Sequence, residues 1–202
     1  MKENTKKYKE KIEEIINKNN GIVTASDFKS KGIPSIYLTK LVQKGILKRY
    51  ERGIYLTNNA DFDEYHFFQI KYKVCIFSFF SALYLHNMTD RVPDTMEATV
   101  YKGYNASNIN KSVIIHYSNK NIYDIGIIQK NTIFGNPVNV YNMEHTICDL
   151  FKNRKKIDPE IFTKAVNNYM KSPEKDINKL YEYSKIFKIE DKIREIIEVL
   201  YE

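Results

Sequence analysis

Cysteine is scarce in this chain. Cys75 and Cys148 are the only two and lie far apart, so the sequence has neither a disulfide framework nor a zinc-type ligand spacing. Glycine (7) and proline (5) are also few among 202 residues, which excludes collagen-like repeats, low-complexity arrays and long flexible linkers. Long apolar runs are missing: the longest nearly uncharged stretch, 74–85, falls well short of the ~20 residues that a membrane span needs. The opening MKENTKKYKEKIEE has no apolar segment behind its lysines, so no secretory signal is expected. These absences predict a soluble cytoplasmic chain in a reducing compartment. Hydrophobic residues at 43% and charged residues at 28% are ordinary for a globular protein, and the length allows one generous domain or two small ones.

Charge is present, and unevenly. The net charge is +7. Lys (27), Ile (27) and Asn (20) are over-used, as in the proteins of AT-rich genomes, which by itself gives some basicity. Codon bias would spread that basicity evenly, yet residues 1–57 hold 13 Lys and Arg against 6 Asp and Glu, while the remainder holds 19 of each. A basic small module attached to a neutral larger one points to a polyanionic partner. An anionic membrane surface is the weaker alternative, because Glu10, Glu13 and Glu14 interrupt the lysines of the first segment, which has no large apolar face.

The periodicity defines the module. Tyr8, Ile12, Ile15 and Ile16 lie on one helical face, and Asn19-Asn20-Gly21 ends that helix. Thr24-Ala25-Ser26-Asp27 has capping-box spacing and starts a short helix through Phe28 that stops at Gly32. Ile33-Pro34 restarts a helix whose expected buried stripe is Leu38, Leu41 and Val42, ending at Gly45. Two short strands, 46–50 and 54–56, follow around Glu51-Arg52-Gly53. Helix, helix, turn, helix and hairpin is the order of a winged helix-turn-helix. Its exposed third-helix face is expected to carry Ser35, Ile36, Thr39, Lys40 and Gln43, with Ser35, Thr39 and Gln43 suited to base edges. Lys40, Lys44, Lys48, Arg49 and Arg52 would supply phosphate contacts, the last three gathered around one turn. The competing readings are ordinary solvated lysines on a small helical domain, or a winged helix that binds protein.

The polar segment 58–64 marks a boundary. Beyond it come aromatic-rich helical stretches at 64–73 and 78–87 and strand-like runs at 97–101, 112–117, 126–129 and 137–141. A helix starts at Asp158-Pro159 with Ile161, Phe162, Ala165, Val166 and Tyr169 on one side. Ile193, Ile196, Ile197 and Leu200 form a last amphipathic helix, expected to pack on its own domain.

Catalytic constellations in this half are weak. His145 and Asp149 are i, i+4 neighbours beside Glu144 and Cys148, an arrangement that reads as a helix with a capping acid and a buried cysteine. Asp90, Asp94 and Glu97 precede Thr99, which stands where a metal-dependent nuclease needs lysine. His86 and His116 are isolated and read as structural. The aromatics Phe77, Phe79, Phe80 and Tyr84 read as core. No catalytic residue, metal or cofactor is therefore expected.

The run from Val23-Thr24-Ala25 to Gly45, with Leu47-Lys48-Arg49 and Arg52-Gly53-Ile54-Tyr55, resembles the N-terminal domain of AbiEi-family antitoxins. Phe77-Ser78, Ser81-Ala82-Leu83-Tyr84-Leu85-His86 and Thr89-Asp90-Arg91-Val92-Pro93 resemble the start of that family's C-terminal domain, and Met143-Glu144-His145-Thr146-Ile147-Cys148-Asp149-Leu150 a later helix of it. The similarity extends over roughly 5–200. It implies a type IV toxin–antitoxin system of abortive phage infection, in which the winged helix represses its own operon by binding inverted repeats in double-stranded DNA. The C-terminal domain would counter an AbiEii-like nucleotidyltransferase toxin without a stable complex, the protein being a monomer or weak dimer that binds DNA cooperatively. The expected architecture is α+β: a winged helix-turn-helix at 1–57, then a mixed α/β domain at 61–202 with a small central sheet and C-terminal helices. The alternatives are a winged-helix-targeted metal-dependent nuclease and a winged-helix protein that neutralises its toxin by direct binding.

Overall fold

A computed structural model describes residues 2–109 and 112–201, with side chains at 6–109 and 112–195. The chain forms two units. The first runs to Asp63 and includes Ile133–Asn136; the second comprises Glu64–Thr132 and the chain from Pro137 onward. Both mix helices with a sheet, so the architecture is mixed α and β. Among the described residues no helix is long and apolar enough to cross a membrane.

The first unit contains α1 (Lys2–Lys18), β1 (Ile22–Thr24), α2 (Ala25–Ser30), α3 (Ile36–Gln43), β2 (Leu47–Glu51) and β3 (Ile54–Thr57). The strands form an antiparallel sheet in the order β1-β3-β2. Its core joins Ile12 and Ile15 of α1 with Val23, Phe28, Ile33, Leu38 and Leu47, and Tyr8, Ile16, Tyr37 and Leu41 pack around it. β1 is absent from the sequence expectation, because three residues are too few to show alternation; its pairing with β3 makes it a strand.

α3 departs from expectation in two ways. It begins at Ile36, with Pro34 and Ser35 forming the approach rather than the first turn. Val42 is 36% exposed and does not belong to the buried stripe; Tyr37 takes that place. At about 100° per residue, Tyr37, Leu38 and Leu41 occupy one arc of the helix and Val42 falls at its edge.

The second unit adds α4 (Glu64–Lys71), β4 (Ile76–Phe77), α5 (Phe79–Leu85), β5 (Met96–Tyr101), β6 (Val113–Ser118), α6 (Lys120–Tyr123), β7 (Ile127–Asn131), β8 (Pro137–Tyr141), α7 (Met143–Lys152), α8 (Pro159–Lys171), α9 (Ile177–Phe187) and α10 (Glu190–Tyr201). The sheet order is β6-β5-β4-β8-β7, with parallel β5–β6 and β4–β8 pairs and antiparallel β4–β5 and β7–β8 pairs. The two-residue β4 sits at the centre, hidden from sequence inspection inside an apolar run.

One apolar cluster gathers Phe68, Phe77, Ala98, Val100, Val138 and Val140 around the sheet. A second packs α5, α7, α8 and α9 through Leu83, Ile147, Leu150, Phe162, Tyr169 and Leu180, and Ile193 of α10 joins it. The aromatics Phe77 and Phe79 are buried in these clusters, and Phe80 packs against one of them. α8 starts as its sequence dictates: the Asp158 carboxylate accepts from the amides of Glu160 and Ile161, and Pro159 holds the first position. The side chains of Ile196, Ile197 and Leu200 lie outside the described residues.

Candidate nucleic-acid interface

The helix pair α2–α3 is set by its termini. Thr24 Oγ1 accepts from the Asp27 amide at 3.1 Å, and Asp27 Oδ2 accepts from the Thr24 amide at 2.7 Å. Both otherwise orphaned donors at the start of α2 are thereby satisfied. The helix closes with the Ile33 amide donating to the Phe28 carbonyl at 2.8 Å, and Phe28 and Ile33 are both buried. That closure fixes where α3 starts.

α3 turns Ser35, Ile36, Thr39, Lys40, Gln43 and Lys44 to the exterior, and Ile36 is 53% exposed. The Ser35 side chain makes no capping bond, which leaves its hydroxyl available to an outside partner. On the hairpin, Lys48, Arg49 and Arg52 are all exposed. Lys48 pairs with Leu56 and Arg49 with Tyr55, and the register slips between Arg49 and Glu51. Consecutive strand residues point to opposite faces, so Lys48 and Arg49 leave β2 on different sides while Arg52 sits in the turn itself. The expectation of one three-cation cluster is therefore corrected: the cations are spread over both faces and the tip of the hairpin.

The other residues singled out by sequence lie in the second unit. Glu144, His145, Cys148 and Asp149 are all buried on α7. The His145 ring stacks on Tyr141 with centroids 3.5 Å apart and planes 4° off parallel. Its Nδ1 donates to the Ile125 carbonyl at 2.9 Å, and Nε2 lies 3.4 Å from Asp149 Oδ2. Burial pushes the Cys148 thiol far up, away from the reactive thiolate. The Asn142 side chain caps α7 by accepting from the His145 amide at 3.0 Å. Glu144 reaches away from its own helix: Oε1 accepts from the Tyr169 hydroxyl at 3.3 Å and from the Asp176 amide at 3.0 Å, tying α7 to the end of α8 and the start of α9.

The carboxylates ahead of Thr99 do not converge. Asp90 accepts from Lys164 of α8, Asp94 is exposed, and Glu97 accepts from His116 Nε2 at 2.6 Å. His116 is thus not isolated; it is paired with Glu97 and stacked on Phe79. Among the described residues no group of three or more His, Cys, Asp or Glu could hold a metal ion. The Ser78 hydroxyl accepts from Thr99 at 2.9 Å in the buried join of β4 and β5, a contact between residues far apart in sequence.

No curated protein matches this sequence. Among solved structures, the chain is similar to the RV2827C protein from Mycobacterium tuberculosis at a TM-score of 0.51 and 12% identity, over 80% of this chain and 66% of that one. The chain thus spans just under two thirds of that relative, and the likeness is one of fold. The segments 77–93 and 143–150 lie outside the family match, which is confined to the N-terminal unit. Residues 10–58 match the model of the AbiEi antitoxin family of transcriptional regulators, and over that segment the chain is similar to those regulators.

Proposed function

We propose that the first unit is a winged helix-turn-helix that binds double-stranded DNA, and that the protein represses transcription of its own operon. The observation that carries this reading is the polar outer face of α3, with Ser35, Thr39 and Gln43 exposed beside the cationic β2–β3 hairpin, in the part of the chain that holds all the net charge. Ser35, Thr39 and Gln43 would read base edges. Lys40, Lys48, Arg49 and Arg52 would bind phosphates, making affinity steeply salt-dependent.

The protein acts in the cytoplasm as the antitoxin of a type IV system. It counters an AbiEii-like toxin without a stable complex and binds inverted repeats as a monomer or weak dimer, cooperatively. The similarity of residues 10–58 to the AbiEi regulators supports this part of the reading. The reading assigns the chain no catalytic step, which is supported on α7 by the burial of its titratable groups and the engagement of His145 and Glu144 by Ile125, Tyr169 and Asp176.

The test is a titration of the purified protein against a fluorescent duplex from upstream of its own reading frame, at two salt concentrations, beside a scrambled duplex. The expected result is a preference for the native duplex of about 4 kcal/mol or more, weakened by salt. Equal binding to both duplexes would remove the repressor function.

A further inference from the structure

Between α1 and α3 lies a groove of about 650 Å³, of whose lining the DNA reading uses Lys40 alone. Its floor is apolar: Ile12 and Ile16 of α1, Tyr37 and Leu41 of α3, and Ile46, which is 45% exposed. Its rims are basic, with Lys6 and Lys9 on one side and Lys40 and Lys44 on the other, and among the described residues Glu13 is the one acid lining it. At about 100° per residue, Tyr37, Leu41 and Lys44 share one side of α3 while Thr39 and Gln43 turn to the opposite side. The Lys40 ammonium sits 5.3 Å from the Tyr37 ring centroid, toward the groove. The sequence assigned Lys44 to phosphate binding; its position on the helix assigns it to this second surface.

We propose that this groove docks an acidic amphipathic helix of a different protein. Such a helix would set apolar residues on the floor and carboxylates against both lysine rims. Each rim carries two lysines about one helical turn apart, which matches the acidic positions flanking the apolar seam of a docked helix. Charge complementarity selects the occupant. Lys9 is 3.8 Å from Glu13, but among the described residues neither Lys40 nor Lys44 has a carboxylate partner. A nucleic-acid backbone has phosphates for the rims and nothing apolar for the floor. A second copy docked by this same face would bring lysine rims against lysine rims.

The experiment uses the full chain and a fluorescein-labelled peptide of three heptads, with Leu at the seam positions and Glu at the flanking ones. A control peptide carries Lys in place of Glu. Anisotropy is expected to show micromolar binding of the acidic peptide, weakened by salt, and at least about tenfold weaker binding of the basic one. Ile46→Asp and Lys9→Glu are each expected to weaken the acidic peptide about tenfold or more. Ile46 is already half exposed and Lys9 is a surface residue, so both variants should retain the parent's thermal melting. Equal affinity for the two peptides, no binding of the acidic one at ~1 mM, or undiminished binding by both variants overturns the proposal. Neither Ile46 nor Lys9 is assigned to DNA. Failure of the duplex titration therefore leaves the peptide result standing, and failure of the peptide titration leaves the repressor reading standing.

Discussion

His86 Nε2 donates to the Tyr141 carbonyl at 2.7 Å, and the Lys130 ammonium lies 3.3 Å from His86 Nδ1. This arrangement fits only the neutral ring: one nitrogen gives its proton to a backbone oxygen, and the other faces a cation. Burial, with Lys130 adding to it, pulls the pKa from 6.5 to about 4. Between those values the unfolded chain binds the proton and the folded chain does not. Stability from this group is therefore fully present above pH 6.5 and declines as pH falls toward 4, by on the order of 3 kcal/mol in all. Denaturant unfolding at pH 7 and pH 5, followed by circular dichroism because the chain has no tryptophan, is expected to show most of that loss. His86→Gln should shrink the difference; an unchanged difference would mean that His86 is not held neutral.

The capping box makes a local prediction. Thr24→Ala removes the acceptor for the Asp27 amide and is expected to cost about 1 kcal/mol, whereas Thr24→Ser should cost only a few tenths. Hydrogen exchange at the Asp27 amide reads this directly: its protection should fall in the alanine variant and return in the serine one. Equal protection in all three proteins would show that the cap is not holding α2.

Gly126 adopts φ +73°, and a Cβ there would stand 2.7 Å from Asn142 Oδ1. That oxygen caps α7, and the Asn142 amide in turn donates to the Gly126 carbonyl at 2.6 Å. Gly126→Ala therefore combines left-handed backbone strain with a displaced cap. The sum is expected to reach about 2 kcal/mol or more. Thermal melting should drop by several degrees, and Asn142→Ala should reproduce only part of the loss.

For DNA, Lys48→Ala, Arg49→Ala and Arg52→Ala should each weaken binding to native and scrambled duplexes alike and reduce the salt slope by about one. Thr39→Ala and Gln43→Ala should instead erode the preference for the native duplex and leave the slope intact. A reversed pattern would exchange the roles assigned to the helix and the hairpin.

Several elements were legible because their causes are local. The faces of α1 and α8, the Thr24–Asp27 box and the Asp158-Pro159 start depend on residues no more than a few positions apart. β1 and β4 were not legible: strands of three and two residues show no period, and their partners β3, β5 and β8 decide them. The segment holding Glu144 read as a helix with a capping acid, whereas Asn142 caps it. The partners of Glu144, Tyr169 and Asp176, are distant in sequence and meet it only when α8 and α9 pack on α7. His116 looked isolated for the same reason, since Glu97 lies on the neighbouring strand.

The basic first quarter, the Thr24 and Asp158 helix starts and the positions of most strands follow from the sequence alone, because charge is a sum over residues and capping acts within one turn. Tertiary structure decided the rest. It placed Lys44 across a groove from Lys6 and Lys9, set Lys48 and Arg49 on opposite sides of a strand, and buried the His145–Asp149 pair against Tyr141. Those outcomes depend on which surfaces meet, and apolar burial, which drives the packing, has no direction that a single segment can encode.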